Sequence, residues 1–179
     1  MQKKLFSIKE IITKAKIKEG MRVADFGVGA NGYFLFELSK VVGDSGLVYA
    51  IDIIKEALDN INRIIKLENY KNIKTVWSNL EKNKATKINP MSVDVGLLVN
   101  TLHQSTNRID MLREVVRLIK KNGTLLVVDW VEHSTPMGPK SGYKVNKENL
   151  LKGAERLGLL LEDDSVVGDY HYCLIFKKI

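Results

Sequence analysis

This sequence predicts an α/β fold: a three-layer sandwich around a mostly parallel sheet of about seven strands, ending in a C-terminal antiparallel hairpin. Three observations carry that expectation. Short apolar runs alternate with helix-period segments from residue 22 to residue 130, the pattern of parallel strands joined by crossover helices. The run 93–99 is apolar except for Asp94, as in a central strand covered on both faces. Two final strand-like runs, 159–167 and 172–178, are parted by Gly168-Asp169, a hairpin signal.

The elements follow in order. Ser7 and Glu10 have the spacing of a capping box, and Ile8, Ile11, Ile12 and Ala15 then share one helical face. Gly20 closes that region. A strand at 22–26 runs into a glycine loop, and a helix is expected over 33–42. The turn 43–46 leads to a strand at 47–52. A helix over 55–68, with Leu58, Ile61 and Ile65 inward, is long enough for a parallel crossover. A short strand at 73–77 gives way to a polar, lysine-rich loop over 78–90 with a poor helical pattern. After the strand at 93–99, a helix over 108–120 turns Ile109, Leu112, Val115, Val116 and Ile119 inward. Lys120, Lys121 and Gly123 read as its charged last turn and glycine stop, before a strand at 124–130. The segment 131–143 is irregular, and a helix over 147–157 follows with Asn146 as its cap. No repeat, low-complexity tract or long linker divides the chain, so one domain is expected over 1–179.

Composition narrows the classes. The chain has 179 residues, 45% hydrophobic and 27% charged, with a net charge of +7. These are values of a globular domain with a substantial core. No apolar run approaches the ~18–20 residues that span a membrane, and the basic N-terminus leads into an amphipathic segment rather than a leader. A single cysteine, Cys173, leaves no internal disulfide, and a cytoplasmic location is the expectation. The positive charge admits a nucleic-acid partner, but the lysines are scattered and no basic run interleaves with aromatics, so a small-molecule partner is favoured.

The chain is organised around Gly27-Val28-Gly29-Ala30-Asn31-Gly32, placed between a strand and a helix. Glycines there turn the backbone tightly and let a ligand approach at the carboxyl end of a strand. The spacing Gly27, Gly29, Gly32 matches a dinucleotide fingerprint, which alone is a weak signal. Asp25, two residues before the first glycine, stands where dinucleotide strands keep an apolar residue. Asp52 ends the second strand and suits a ribose diol.

An acid before the glycine loop and an acid ending the second strand together resemble the class I S-adenosylmethionine (SAM) methyltransferases. The similarity runs nearly the whole chain. Residues 20–29 look like that family's first motif and 48–52 its second. Residues 93–103 resemble the fourth motif of the small single-domain subgroup related to the ubiquinone and menaquinone enzymes, and 118–125 the turn before strand five. The resemblance implies a Rossmann-like core extended by a terminal antiparallel pair. It also implies SAM as cofactor, with S-adenosylhomocysteine (SAH) as product, and methyl transfer to a small-molecule acceptor. An RNA or protein acceptor, or a non-catalytic SAM-binding module, remain alternatives. The cofactor would be held by Asp25, Gly27, Gly29, Gly32, Asp52, Ile53, Asn79, Leu80 and Asn100. Asn79 stands where the family carries an acid toward the adenine amine, and the loop Gly29-Ala30-Asn31-Gly32 is one residue longer than the commonest form. One cysteine argues against arsenite methylation, and the Asn/Asp-Pro-Pro-aromatic tetrad of base-methylating enzymes is absent.

For chemistry, His103 is the candidate base or substrate-orienting group, just past strand four, histidine being the residue type most used for proton transfer near neutral pH. Packing against the next helix is the equal alternative. Asp129 ends strand five on the same rim as a second candidate. Trp130 either stacks on a substrate or packs. His133 and Tyr143 lie in 131–146, the candidate substrate lid. His171, in the terminal hairpin, reads as structural. The three histidines and one cysteine have no metal-site spacing. Tyr70 and Lys74 share a dehydrogenase-like spacing but fall before strand three, away from any site.

Overall fold

A computed structural model describes residues 6–132 and 135–179. His133, a candidate above, lies outside the described residues. The strands are β1 (Arg22–Phe26), β2 (Leu47–Asp52), β3 (Ile73–Trp77), β4 (Val93–Val99), β5 (Ile119–Trp130), β6 (Leu159–Val167) and β7 (His171–Lys178). They form one sheet in the order β3-β2-β1-β4-β5-β7-β6. Pairs from β3 to β5 are parallel; β7 enters antiparallel between β5 and β6. The strand order reverses between β1 and β4, and the crevice at such a switch point is where open α/β sheets bind ligands.

Among the described residues five α-helices cover the sheet: α1 (Ile8–Lys14), α2 (Leu35–Val42), α3 (Lys55–Leu67), α4 (Arg108–Leu118) and α5 (Lys147–Arg156). Side chains alternate across β5 with the period of two that a strand imposes. Leu126 and Val128 join Ile11, Leu38 and Ile61 on the face covered by α1 to α3. Leu125 and Val127 join Leu112, Val115 and Leu150 under α4 and α5. Ser7 caps α1, its hydroxyl accepting from the Glu10 N–H at 3.0 Å, and Asn146 caps α5 in the same way through the Asn149 N–H at 2.9 Å.

Three sequence expectations are corrected. Helix α2 begins at Leu35 rather than residue 33, because Gly32 and its neighbours form turns ahead of it. Helix α4 stops at Leu118 rather than residue 120, and Ile119 already pairs with Val93. The next β4–β5 pair beyond this irregularity is Val95 with Thr124, so Lys120 to Gly123 bulge out of the ladder. Lys120 does not sit on the last helical turn; its ammonium reaches the Asp94 carboxylate at 2.6 Å.

Between β3 and β4 no helix is formed. The stretch 78–90 is a series of turns whose Leu80 and Ile88 fill the core on the α4 face. Glu114 of α4, fully buried, holds it there. The Glu114 carboxylate accepts from the backbone N–H of Lys84 (2.8 Å) and Thr86 (2.9 Å) and from Nε and Nη2 of Arg117 (2.8 Å each). Burial acts to raise its pKa, but these donors overcome burial and hold it down at about 2.

Candidate active site

The carboxyl ends of β1, β2 and β4 open into two clefts that share Gly27. The turn at Gly27 has φ +86°, and a Cβ there would lie 2.5 Å from the Thr101 hydroxyl. Thr101 donates to the carbonyl of Phe26 at 3.0 Å or of Val99 at 3.1 Å, which ties β1 to the end of β4. Only glycine fits this close approach.

The first cleft, about 300 Å³, is lined by Gly29, Asp52, Ile53, Asn79, Leu80 and Glu81, with the residues after β4 opposite. Asp52 accepts from the Gly29 N–H (2.9 Å) and the Ile54 N–H (3.0 Å), so the acid that ends β2 also shapes the glycine loop. The second cleft, about 280 Å³, has aromatic walls from Phe6, Tyr33, Phe34 and Trp130, with Asp25 and Asn100 as its polar groups. Each cleft alone is at the small end for a ligand site, and a long ligand passing Gly27 would use both. Gly32 lines neither.

Asp25 is 3% exposed, and its carboxyl has no hydrogen-bond donor among the described residues. Burial, and then the charge of Asp52, push its pKa up to about 7. Asn100 has a left-handed backbone (φ 53°). Its N–H donates to the Val128 carbonyl, and Gln104 Nε2 holds its carbonyl, both at 2.8 Å. The side-chain Oδ1 of Asn100 is buried without a donor among the described residues. A buried polar atom without a partner is costly and calls for an explanation. Two acceptors waiting at one cleft suit a cationic ligand end.

His103 and Asp129, 26 residues apart, are brought together because β4 and β5 are parallel neighbours that end level, Val99 beside Val128. Asp129 is fully buried. Its Oδ2 accepts from the His103 N–H at 3.1 Å, and its Oδ1 from the Trp130 N–H at 2.8 Å. His103 Nδ1 lies 3.0 Å from Oδ1. A carboxylate only accepts, so Nδ1 carries a proton toward Asp129, and in the neutral ring Nε2 is the nitrogen with the lone pair. The ring is 14% exposed, and Nε2 has no protein partner among the described residues.

The lid candidate packs close by. Arg108 of α4 donates to the Tyr143 carbonyl at 2.7 Å and to the Leu102 carbonyl at 3.2 Å. At Gly138 a Cβ would lie 2.5 Å from the Trp130 indole, so the segment lies directly on Trp130. The Tyr143 ring is exposed. His171 is fully buried against Trp130 and Phe6, with ring centroids 4.2 and 4.8 Å away. Both its nitrogens lack hydrogen-bond partners among the described residues, and burial pushes its pKa down to about 4. Burial also pushes the Cys173 thiol up to about 12, which leaves it neutral and unreactive. Tyr70 packs on Phe36 with ring centroids 5.2 Å apart, and Lys74 is exposed on β3. Among the described residues no group of three or more His, Cys, Asp or Glu could hold a metal ion, and no helix is long and apolar enough to cross a membrane.

Thr101, Glu81, Gln104 and Ser105 line the first cleft, and Phe6, Tyr33 and Phe34 the second, without having been singled out from sequence. For Thr101 a signal existed: it is the second residue past the apolar run of β4, where a ligand-side turn was expected.

A parallel sheet with a reversed penultimate strand, switching order beside a glycine loop flanked by Asp25 and Asp52, defines a class I SAM-dependent methyltransferase domain. The chain matches the model of a methyltransferase domain family, Methyltransf_31, over residues 17–164, and belongs to that family. It is 26% identical over 132 residues to the demethylmenaquinone methyltransferase of Lactococcus lactis, covering 74% of this chain and 50% of that relative. The chain thus spans about half the length of that curated relative. A SAM-dependent methyltransferase structure from Aquifex aeolicus superposes with a TM-score of 0.88 at 27% identity, covering 98% of this chain and 91% of the other. A TehB-like SAM-dependent methyltransferase from Corynebacterium glutamicum, at 18% identity and TM-score 0.73 over 98% and 89% of the two chains, shares the fold.

Family membership implies SAM binding, and the residues present fit that cofactor. Gly29 faces open space, with nothing within 4 Å of where a Cβ would stand, so the loop admits a ligand. The first cleft pairs apolar Ile53 and Leu80 with Asp52, as a base and a ribose need. The unpartnered acceptors of Asp25 and Asn100 suit the cationic amino-acid end.

Proposed function

We propose that this protein transfers the methyl group of SAM to a small-molecule acceptor seated beside Trp130, with His103 as the base. The observation that carries this reading is the His103–Asp129 pair, which lines neither cleft itself but is tied to the aromatic one through the Trp130 N–H on Asp129 Oδ1. When bound, the cofactor supplies a methyl group on a positive sulfonium. The protein's part is to align the acceptor and exclude water. Asp129 fixes the ring tautomer and orientation, so that His103 Nε2 takes the acceptor's proton. The imidazolium that forms is stabilised by the buried carboxylate. The aromatic walls of Phe6, Tyr33 and Trp130 suit an apolar or planar acceptor body. Neither cleft is lined by Lys or Arg, which disfavours a polyanion. Lys16, Lys18, Lys120 and Lys121 gather instead around Asp94 and Thr124, at the opposite, amino-terminal end of the central strands.

The test is methyl transfer from radiolabelled SAM across a panel of phenolic, enolic and amine acceptors, with SAH and SAM binding followed by calorimetry. With an accepted substrate, His103→Ala is expected to lower kcat by about 10²–10⁴-fold, the range of general base catalysis, while the SAM Kd holds within about twofold. A kcat unchanged in His103→Ala refutes the assignment of the base. A protein that binds neither SAM nor SAH refutes the reading as a whole.

A further inference from the structure

The cleft at the end of β2 and β3 has apolar sides, Ile53, Leu80 and Met111, and a polar end where Asn79, Glu81 and Ser105 meet. An adenine in such a slot buries its faces against the aliphatic groups and must find an acceptor for its exocyclic amine, because a buried donor left unpaired is costly.

The available acceptors are few. Both Asp52 oxygens take backbone N–H groups beside the glycine loop. Gln104 is turned toward the Asn100 carbonyl. Asn79 Oδ1 accepts from the Glu81 N–H at 2.9 Å and closes a local turn. Glu81 differs. Its Oε1 takes the Ser105 hydroxyl at 2.6 Å and the N–H groups of Thr106 and Asn107 at 3.1 and 3.4 Å. Its Oε2 takes no donor among the described residues. The Ser105 hydrogen bond, against burial and aided by those backbone N–H groups, holds the carboxyl below its usual range, so it is an ionised, acceptor-only group. One oxygen is therefore anchored across the cleft and the other is free.

We propose that Glu81, rather than Asn79, reads the adenine amine of the cofactor, through Oε2. This rests on the SAM reading of the site. A carboxylate accepts from an amine at charge-assisted strength and cannot donate, so it repels a ligand with a ring carbonyl at that position. An amide in the same role would turn over and accept either ligand. The two candidates thus predict different selectivity.

The experiment measures calorimetric binding of SAH and of S-inosylhomocysteine, its 6-keto analogue, to the full chain and to Glu81→Gln and Asn79→Ala. The wild type is expected to prefer SAH by about 30-fold or more, the scale of a hydrogen bond to a charged group. Glu81→Gln brings the two ligands within about threefold, since its amide satisfies either edge, and Asn79→Ala leaves the preference intact. Full preference retained in Glu81→Gln, or lost in Asn79→Ala, overturns the assignment while the cofactor reading stands. A wild type that binds neither ligand overturns both. Should Glu81→Gln fail to fold, Ser105→Ala removes one anchor of the carboxylate and leaves its charge. It is expected to weaken SAH binding about fivefold, one modest hydrogen bond, with no change for the 6-keto ligand. Unchanged SAH affinity in that variant overturns the proposal.

Discussion

Asp25→Asn replaces a carboxyl whose ionisation the fold opposes. Burial and the charge of Asp52 raise that group from an ordinary 3.8 to about 7. Between these values the native state holds a proton that the unfolded chain has released, so stability falls as pH rises through the window. At 1.36 kcal/mol per unit, the cost at pH 8 is about 4 kcal/mol. Asparagine has the same shape and no charge. The variant is therefore expected to match the wild type near pH 4 and to exceed it by up to about 4 kcal/mol at pH 8. Urea unfolding of both proteins across pH 4–8.5 reads this difference directly. Parallel stability curves would refute the reasoning. A ligand cation seated beside Asp25 pulls its pKa back down and expels the proton. At pH 6.5 a group with a pKa of about 7 is about three-quarters protonated, so SAM binding is expected to release about 0.7 proton, against none in Asp25→Asn. Calorimetry in two buffers of different ionisation enthalpy counts that proton, and proton-neutral binding by the wild type would count against the placement.

The opposite slope is expected from His171. Its folded pKa is depressed to about 4, so stability is lost as pH falls from 6.5 toward 4, by about 3 kcal/mol; in His171→Phe that loss disappears from acid unfolding curves, and a persisting slope would assign it elsewhere. Glu114→Ala leaves the N–H groups of Lys84 and Thr86 and the Arg117 guanidinium without their buried acceptor. It is expected to cost about 3–5 kcal/mol and to lower Tm by roughly 10 °C, which a calorimetric scan measures; a shift below about 3 °C would show that the 78–90 loop holds without it.

Much of the framework could be read from periodicity, because parallel strands buried on both faces are apolar runs and the crossovers keep a helical repeat. The glycine loop and the acids Asp25 and Asp52 carried a spacing that points to a ligand. The pairing of His103 with Asp129 carried none: it depends on two neighbouring strands ending level, which a register fixes and a sequence does not display. Glu81 and Glu114 look like members of a solvated charged face until the loop they hold is folded against α4. Lys120 and Lys121 read as the end of a helix because cations suit a helix C-terminus. Pairing of Ile119 with Val93, and the attraction of Asp94 for Lys120, outweighed that preference. Asn100 showed nothing of its left-handed backbone or its unpartnered oxygen, since both arise from the turn that follows β4.

The strand order has a further consequence, for how the chain comes together. Segments before residue 80 pair among themselves as β1, β2 and β3, and those after residue 92 as β4 to β7. The two halves meet in the sheet through one short ladder, Val23 to Asp25 against Val95 to Leu97. Each half can assemble from near neighbours, whereas that central join links residues some seventy positions apart and bears the larger loop-closure entropy. The first cleft takes Gly27, Asp52 and Asn79 from one half and Thr101 and Ser105 from the other. A molecule bound there acts as a rivet across the join, and by mass action it holds the halves together most strongly when the cofactor is abundant. Amide exchange at β1 and β4 would then follow cofactor concentration, and exchange at the outer β6–β7 hairpin would follow it far less.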